Sequence, residues 1–411
     1  MMISDEIYQK LNRLAAACKQ LAILTDTPRD SSASGMNLPL EAESLHRVSE
    51  TLREDMFSVL VMAKFKSGKS TLINAMAGKE LMKTKTTPCT AAITYIRYGQ
   101  ENDIIEVYHE DSRSPERMSS EEFSEKYTLT DEEAESMLCD EYLDKFDNIS
   151  HTVIYDDSDF FKNGLMLIDT PGMEEKYSRI KIKTEILPKA SAIVFTMSAV
   201  SLFSQGEREY IADNFAGKSM KDVFFVVNRI NQVYEHEVEK VKQVVRKELH
   251  DVFVDKNGVF DEELYQKRVF FVDAYTAECA RLGKNIRVVA GKKEFEYPAE
   301  IEDSGVPEFE EALQEFLNSE ERIYPFFSST IRMMAGTYHT ALQMAEAYQE
   351  FRSLQFQEEN ADITSLIASN RYMNQQFATV AKMKNLIDTA YQEFTEKKLS
   401  NAEFSALFEC K

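Results

Sequence analysis

The chain has 411 residues, with 70 acidic side chains against 48 basic ones and a formal net charge of −22. That balance excludes broad nucleic-acid binding, because a phosphate backbone is held by clustered Lys and Arg, and no dense basic block occurs. A membrane-spanning helix needs a run of roughly 18 apolar residues, and the sequence contains none.

The start, MMISDEIYQK, is acidic and polar, unlike a secretory leader. Residues 5–24 predict a helix, since Ile7, Leu11, Leu14, Cys18 and Leu21 step by four and three along one face. A polar loop, TPRDSSASGMN, separates it from a second predicted helix over about 40–54. From Phe57 the pattern changes to short apolar runs: Phe57–Met62, Ala91–Tyr98, Leu165–Ile168, Ala192–Met197, Val223–Val227 and Val269–Val272. Most have the length of buried strands, and several precede helical stretches. This alternation predicts an α/β domain with a mostly parallel sheet covered on both faces. An acidic segment, about 110–147, reads as a helical surface insertion. Gly305-Val306-Pro307 opens a helix with proline in its first turn, and Pro325 is expected to interrupt the helical pattern that follows. Beyond it Ile363, Leu366, Asn370, Met373, Phe377, Val380, Ile387 and Phe394 form a long helical stripe, with Asn370 placed to fix register. The two ends of the chain are therefore expected to share one helical bundle. The five cysteines (Cys18, Cys89, Cys139, Cys279, Cys410) have no CxxC or metal-ligand spacing and read as reduced thiols of a cytoplasmic protein.

Four motifs carry chemistry. Ala63-Lys64-Phe65-Lys66-Ser67-Gly68-Lys69-Ser70-Thr71 follows a predicted strand and enters a helix, as a phosphate-binding loop requires. Its backbone N–H groups and the helix N-terminus would face phosphates. Lys69 would supply a point charge, Ser70 a hydroxyl for Mg²⁺, and Gly68 a close backbone approach. Ala63 replaces the usual first glycine, a costly change if that position needs a positive φ. The second motif is Leu167-Ile168-Asp169-Thr170-Pro171-Gly172. A strand ending in Asp169 offers a second Mg²⁺ anchor, and Gly172 an N–H for a γ-phosphate. The third is Asn228-Arg229-Ile230-Asn231 after an apolar strand, a slot in which GTPases carry Asn/Thr-Lys-x-Asp. Asn228 would brace loops, and the stem of Arg229 would cover the base. Asn231 puts an amide where a carboxylate would accept from guanine N1 and N2, which predicts weaker guanine selectivity and favours xanthine. The fourth lies in Thr86-Thr87-Pro88-Cys89-Thr90, where a threonine can coordinate Mg²⁺ only while a γ-phosphate is present. Thr87 is preferred, then Thr86, then Thr90. Phe271-Val272-Asp273-Ala274 is a weaker candidate for closing over the base.

With these motifs in place, KFKSGKSTLINAMAG, TTPCTAAITYIRYG, GLMLIDTPGM, FFVVNRIN, FFVDAYTA and SGVPEFEEALQEFL resemble, in order and spacing, the bacterial dynamin-like GTPases. The resemblance implies N-terminal neck helices over 1–54, a GTPase domain over 55–320 and neck or stalk helices over 321–411. Members acting on membranes continue into a longer stalk and lipid-binding tip, so a truncated or shortened chain is expected. It further implies Mg²⁺-dependent GTP hydrolysis, self-association through the nucleotide face and peripheral membrane contact. Lys69 and Ser70 become phosphate and Mg²⁺ ligands, Thr87 the switch threonine that also binds the metal, and Asp169 and Gly172 the second switch. Lys66 stands where dynamins have a serine and guanylate-binding proteins an arginine finger. A lysine there could neutralise charge in the transition state. Asp273 departs from the serine of many relatives. Water would then attack the γ-phosphate directly, since Met173-Glu174-Glu175 provides no glutamine base. The competing reading is a nucleotide-gated scaffold with little turnover or altered base choice, which Ala63 and Asn231 favour.

Overall fold

The fold was analysed in a computed structural model that describes residues 2–26, 36–54, 57–64, 66–82, 92–101, 103–112, 114–127, 148–170, 186–187, 190–215, 222–255, 257–290, 293–355 and 363–394. Along the chain come α1 (Asp5–Asp26), α2 (Pro39–Glu54), β1 (Phe57–Ala63), α3 (Lys69–Ala77), β2 (Thr94–Tyr98), β3 (Ile104–His109), β4 (Glu116–Ser119), α4 (Ser120–Tyr127), β5 (Ile149–Asp156), β6 (Leu165–Asp169) and β7 (Ala192–Ser198). There follow α5 (Gln205–Phe215), β8 (Val223–Asn228), α6 (Glu235–Glu248), α7 (Glu262–Arg268), β9 (Val269–Val272), α8 (Ala274–Arg281), β10 (Ile286–Ala290), β11 (Lys293–Tyr297), α9 (Val306–Leu317), α10 (Glu320–Gln355) and α11 (Ile363–Phe394). They group into two units, Met1–Ile3 with Phe57–Leu317, and Ser4–Met56 with Asn318–Lys411.

In the first unit nine strands form one sheet in the order β4-β3-β5-β2-β6-β1-β7-β8-β9, and β10 pairs with β11 in a separate antiparallel hairpin. β6, β1, β7, β8 and β9 all run parallel. Their sequences are continuous apolar runs because both faces are buried. Alternate residues divide between the faces. Leu60, Met62, Phe195, Met197, Phe225 and Val227 pack with Val245, Leu249 and Phe253 on one side. On the other side Phe224 meets Phe309 at 6.1 Å and Phe316 at 5.6 Å between ring centroids.

β2 is the exception to the parallel run. It pairs antiparallel with β6 and parallel with β5, and β3 returns antiparallel on β5. It begins at Thr94, later than the apolar run that marks it, and Ala91 lies outside the described residues. β3, β4 and β5 are strands that no apolar run announced. Their signal is alternation: Ile105 and Val107 are buried with Met118 and Tyr127, while Glu106 and Tyr108 sit on the opposite face. The acidic segment is thus not wholly a helical insertion. It includes edge strand β4, then enters α4 through a reciprocal cap in which Glu122 N–H donates to Ser119 Oγ (3.1 Å) and Ser119 N–H to Glu122 Oε2 (2.8 Å). Residues 128–147 lie outside the described set.

In the second unit α1 packs against α2, α10 and α11. Leu11, Leu14, Cys18 and Leu21 of α1 are buried, as are Met334, Tyr338 and Ala341 of α10 and Val380, Met383 and Ile387 of α11. Burial pushes the Cys18 thiol up to about 12, so it behaves as an apolar core group. Two expectations fail here. Pro325 lies inside α10 and does not end a helix. The break falls at Asn318-Ser319, where Ser319 O accepts from both Arg322 and Ile323 N–H at 3.1 Å and so starts the new helix. Asn370 is exposed, whereas Gln376, Thr379 and Val380 are buried, so Asn370 cannot set register from a core seam.

Candidate functional site

β1 is central, with β6 on one side and β7 on the other; the connection after β1 runs to the β6 side and the connection after β6 runs to the β7 side. In open α/β sheets such a point forms a crevice at the carboxyl ends of the strands. The loop Lys64–Gly68 leaves β1 at this point and enters α3. Ser67 closes it, its Oγ donating to Lys64 O at 2.7 Å and its N–H to the same oxygen at 3.2 Å. Gly68 is left-handed at φ 87°. Ala63 ends β1 in extended conformation and is buried, so the expected penalty for lacking glycine there does not arise. Among the described residues of the loop, the non-glycine residue with positive φ is Lys66 (φ 67°), whose side chain is exposed. Lys69, Ser70 and Thr71 form the first turn of α3. Phe65, Thr86, Thr87, Thr90, Pro171 and Gly172 lie outside the described residues.

Lys69 points back at the end of β6. Its ammonium donates to Asp169 Oδ1 and, at 2.5 Å, to Thr170 O. Thr170 is itself fixed to β1, its Oγ1 donating to Val61 O at 3.1 Å. Asp169 is fully buried, and burial pushes its carboxyl above the usual range while the Lys69 charge opposes the shift. Among the described residues its second oxygen, Oδ2, has no hydrogen-bond partner. A buried carboxylate oxygen with nothing to accept from, together with a serine hydroxyl at Ser70, is a hard oxygen donor set suited to Mg²⁺. Among the described residues no group of three or more His, Cys, Asp or Glu side chains is gathered, so a metal here would take few protein ligands and several oxygens from elsewhere.

Asn228 ends β8 and joins three segments. Its Nδ2 donates to Ser67 O (3.1 Å) and Gly68 O (3.4 Å) of the loop. Its Oδ1 accepts from Arg229 N–H (2.7 Å) and from Ala274 N–H (3.0 Å), the first residue of α8. Arg229 is left-handed (φ 66°) and leads into a tight turn, Ile230–Gln232, on which Asn231 is exposed. Asp273 is 5% exposed and occupied in capping α8, accepting from Thr276 N–H at 3.1 Å and from Thr276 Oγ1. Asp273 thus serves as the N-cap of α8.

Sequence reasoning missed several groups. Thr196 and Ser198 of β7 carry buried hydroxyls that have no hydrogen-bond partner among the described residues. In register, Thr196 lies beside Ala63, Ser198 beside Asn228, and Asp169 beside Val61. All share one sheet face at the carboxyl edge. The cost of such unsatisfied groups is about 1–3 kcal/mol each. Polar residues at i and i+2 in an otherwise apolar strand were the available signal. Asn74, Glu278 and Arg281 were also missed, because their contacts join helices more than 200 residues apart in sequence.

The profile of the Dynamin family matches residues 59–230. The chain is 28% identical over 339 residues to a bacterial dynamin-like protein of Nostoc punctiforme, covering 78% of this chain and 47% of that protein. It is 20% identical over 298 residues to dynamin-like protein 1 of Campylobacter jejuni, covering 66% and 38%. The chain thus spans about half, or less, of the length of these relatives. A solved structure described as an oligomerised bacterial dynamin pair shares the fold at a TM-score of 0.50 and 14% identity, covering 99% of this chain and 59% of that one. The motif order and the sheet agree with these likenesses, and residues 59–230 are the part of the chain that resembles the Dynamin family.

Proposed function

We propose that this chain binds and hydrolyses GTP with Mg²⁺, as a dynamin-like GTPase. The observation that carries the reading is the wiring of Asn228, which ties the loop before Lys69 to the turn bearing Asn231. A phosphate half and a base half are thereby fixed to each other. Ala63–Thr71 receive the phosphates through backbone N–H groups and the start of α3. Lys69 exchanges its carboxylate partner for phosphate oxygens. Ser70 and Asp169, with Thr87, are the residues that would hold Mg²⁺, which neutralises phosphate charge when bound. Gly172 senses the γ-phosphate, Asn228 and Arg229 support the base, and Lys66 places positive charge near the transferring group. Residues 1–54 and 321–411 serve as neck helices. Self-association through the nucleotide face raises turnover, and membrane contact is peripheral. Among the described residues no helix is long and apolar enough to cross a membrane.

The test is multiple-turnover phosphate release at high protein concentration, with GTP, XTP and ATP compared in the presence and absence of Mg²⁺. Release from GTP or XTP that needs Mg²⁺ supports the reading. Preference for ATP overturns the base assignment, and no release from any nucleotide overturns hydrolysis. Light scattering with and without a transition-state mimic tests nucleotide-driven dimerisation. Asn231, an exposed amide on the base turn, favours a second reading, a nucleotide-gated scaffold with altered base choice. Tight binding without release would select it.

A further inference from the structure

α3 and α8 are joined at both ends. At their N-terminal ends the joint is Asn228, which accepts from Ala274 N–H of α8 and donates to Ser67 O and Gly68 O just before α3. At their C-terminal ends the joint is made by side chains of α8. Glu278 Oε1 accepts from Asn74 Nδ2 at 2.7 Å, within a fully buried amide that also donates to Met82 O (2.8 Å) and accepts from Met82 N–H (2.7 Å). Arg281 Nη1 donates to Ala75 O and, at 3.3 Å, to Met76 O, carbonyls of the last turn of α3. The same guanidinium is held by Glu310 of α9 through a bidentate pair, Nη1 to Oε1 at 2.7 Å and Nη2 to Oε2 at 2.6 Å. Arg281 also answers the C-terminal dipole of α3, so its charge is set where it gains most.

Two helices fixed at both ends form a rigid block. One of them begins at Lys69 and Ser70. The other begins at the N–H group that orients Asn228 and the base turn. We propose that Glu278 and Arg281 are positioning residues that set the distance between the phosphate half and the base half of the nucleotide site. The inference rests on the nucleotide reading above. It separates two kinds of ligand. A nucleoside triphosphate must satisfy both halves at once and depends on their spacing. Inorganic tripolyphosphate occupies the phosphate half and is indifferent to it. Loosening the far joint therefore weakens the nucleotide and spares the polyphosphate.

The experiment measures binding of a fluorescent GTP analogue to the full chain, and its displacement by GTP and by tripolyphosphate. The variants are Arg281→Ala, Glu278→Ala and Glu278→Gln, with thermal midpoints recorded alongside. GTP affinity should fall about tenfold or more in the two alanine variants, with tripolyphosphate affinity within about twofold of the unaltered chain. Glu278→Gln keeps an acceptor for Asn74 and should retain GTP affinity. Equal losses of GTP and tripolyphosphate, or a lowered midpoint with GTP affinity unchanged, would mean that the joint is only structural and would overturn the inference. If the unaltered chain binds tripolyphosphate but no nucleotide, the nucleotide reading fails and the inference falls with it.

Discussion

Gly68 and Asn228 are in contact so close that a Cβ on Gly68 would stand 2.2 Å from Asn228 Nδ2. The glycine is needed twice, for this approach and for its left-handed φ of 87°. Gly68→Ala must displace Asn228, which is 2% exposed and holds four hydrogen bonds. Nucleotide affinity should drop at least about 100-fold, the effect of losing two or so such bonds. Isothermal titration with GTP reads this. Retained affinity would mean that the Asn228 brace is dispensable.

Lys69 and Asp169 form a pair buried to 10% and 0% exposure of their side chains. Removing one partner leaves the other charge unpaired in the interior, at a cost of about 3 kcal/mol or more. Lys69→Ala should lower the stability of the nucleotide-free chain by that order, well beyond what a surface lysine would. The double variant Lys69→Met with Asp169→Asn should lose less than the sum of the single changes. Urea unfolding in a double-mutant cycle checks both. Additive losses would show that the two side chains do not interact.

The base turn makes a separate prediction. In the proposed site the Asn231 amide would accept from guanine N1–H with its oxygen, but its NH₂ would then meet the guanine amino group, donor against donor. Xanthine presents a carbonyl at that place. Asn231→Asp should raise the preference for GTP over XTP by about tenfold or more, because an unmatched polar contact at a recognition site costs about 1–3 kcal/mol. Competition of GTP and XTP for the unaltered and variant chains reads the ratio directly. An unchanged ratio would remove Asn231 from base recognition.

Glu278 makes stability depend on pH. Burial pushes its carboxyl above the ordinary carboxylate range; the hydrogen bond from Asn74 opposes this and the charge of Glu80 adds to it. A carboxyl with a raised folded pKa favours the protonated form. Its contribution is therefore full below about pH 4.3, the unfolded value, and is lost as pH rises through the folded value. Relative to Glu278→Gln, the unaltered chain should become less stable as pH rises from about 4.3 through the folded value. Denaturant midpoints across that window test the sign; a difference that does not vary with pH would refute it.

The parts of the fold that were legible in sequence are those where one physical signal dominates. β1, β6, β7, β8 and β9 are buried on both faces, so they are continuous apolar runs. β3 and β5 are half-buried and mix Glu106, Tyr108, Ser150 and His151 with apolar residues, so they carry only an alternating signal. The phosphate loop was legible because its chemistry is local: nine consecutive residues bear it. The joint between Asn74, Glu278 and Arg281 was not, because each residue alone is an ordinary helical polar residue. Only the crossing of α3 and α8 gives them partners. Pro325 misled for a similar reason. A proline forbids its own N–H bond, but the chain breaks where Ser319 offers a better start.

The reversed strand β2 divides the sheet into two districts. On one side every strand that bears a site residue ends at the same edge. On the other, β4, β3 and β5 lie beyond β2; β3 ends at that same edge, but none of the three bears a site residue. The turn between β3 and β4 is exposed at Glu110, Asp111 and Ser112. A fluorescent reporter or affinity handle spliced there would sit on the peripheral district, leaving the spacing of Lys69 and Asn228 to the inner one. The sheet order thus supplies a natural graft point for watching this protein work.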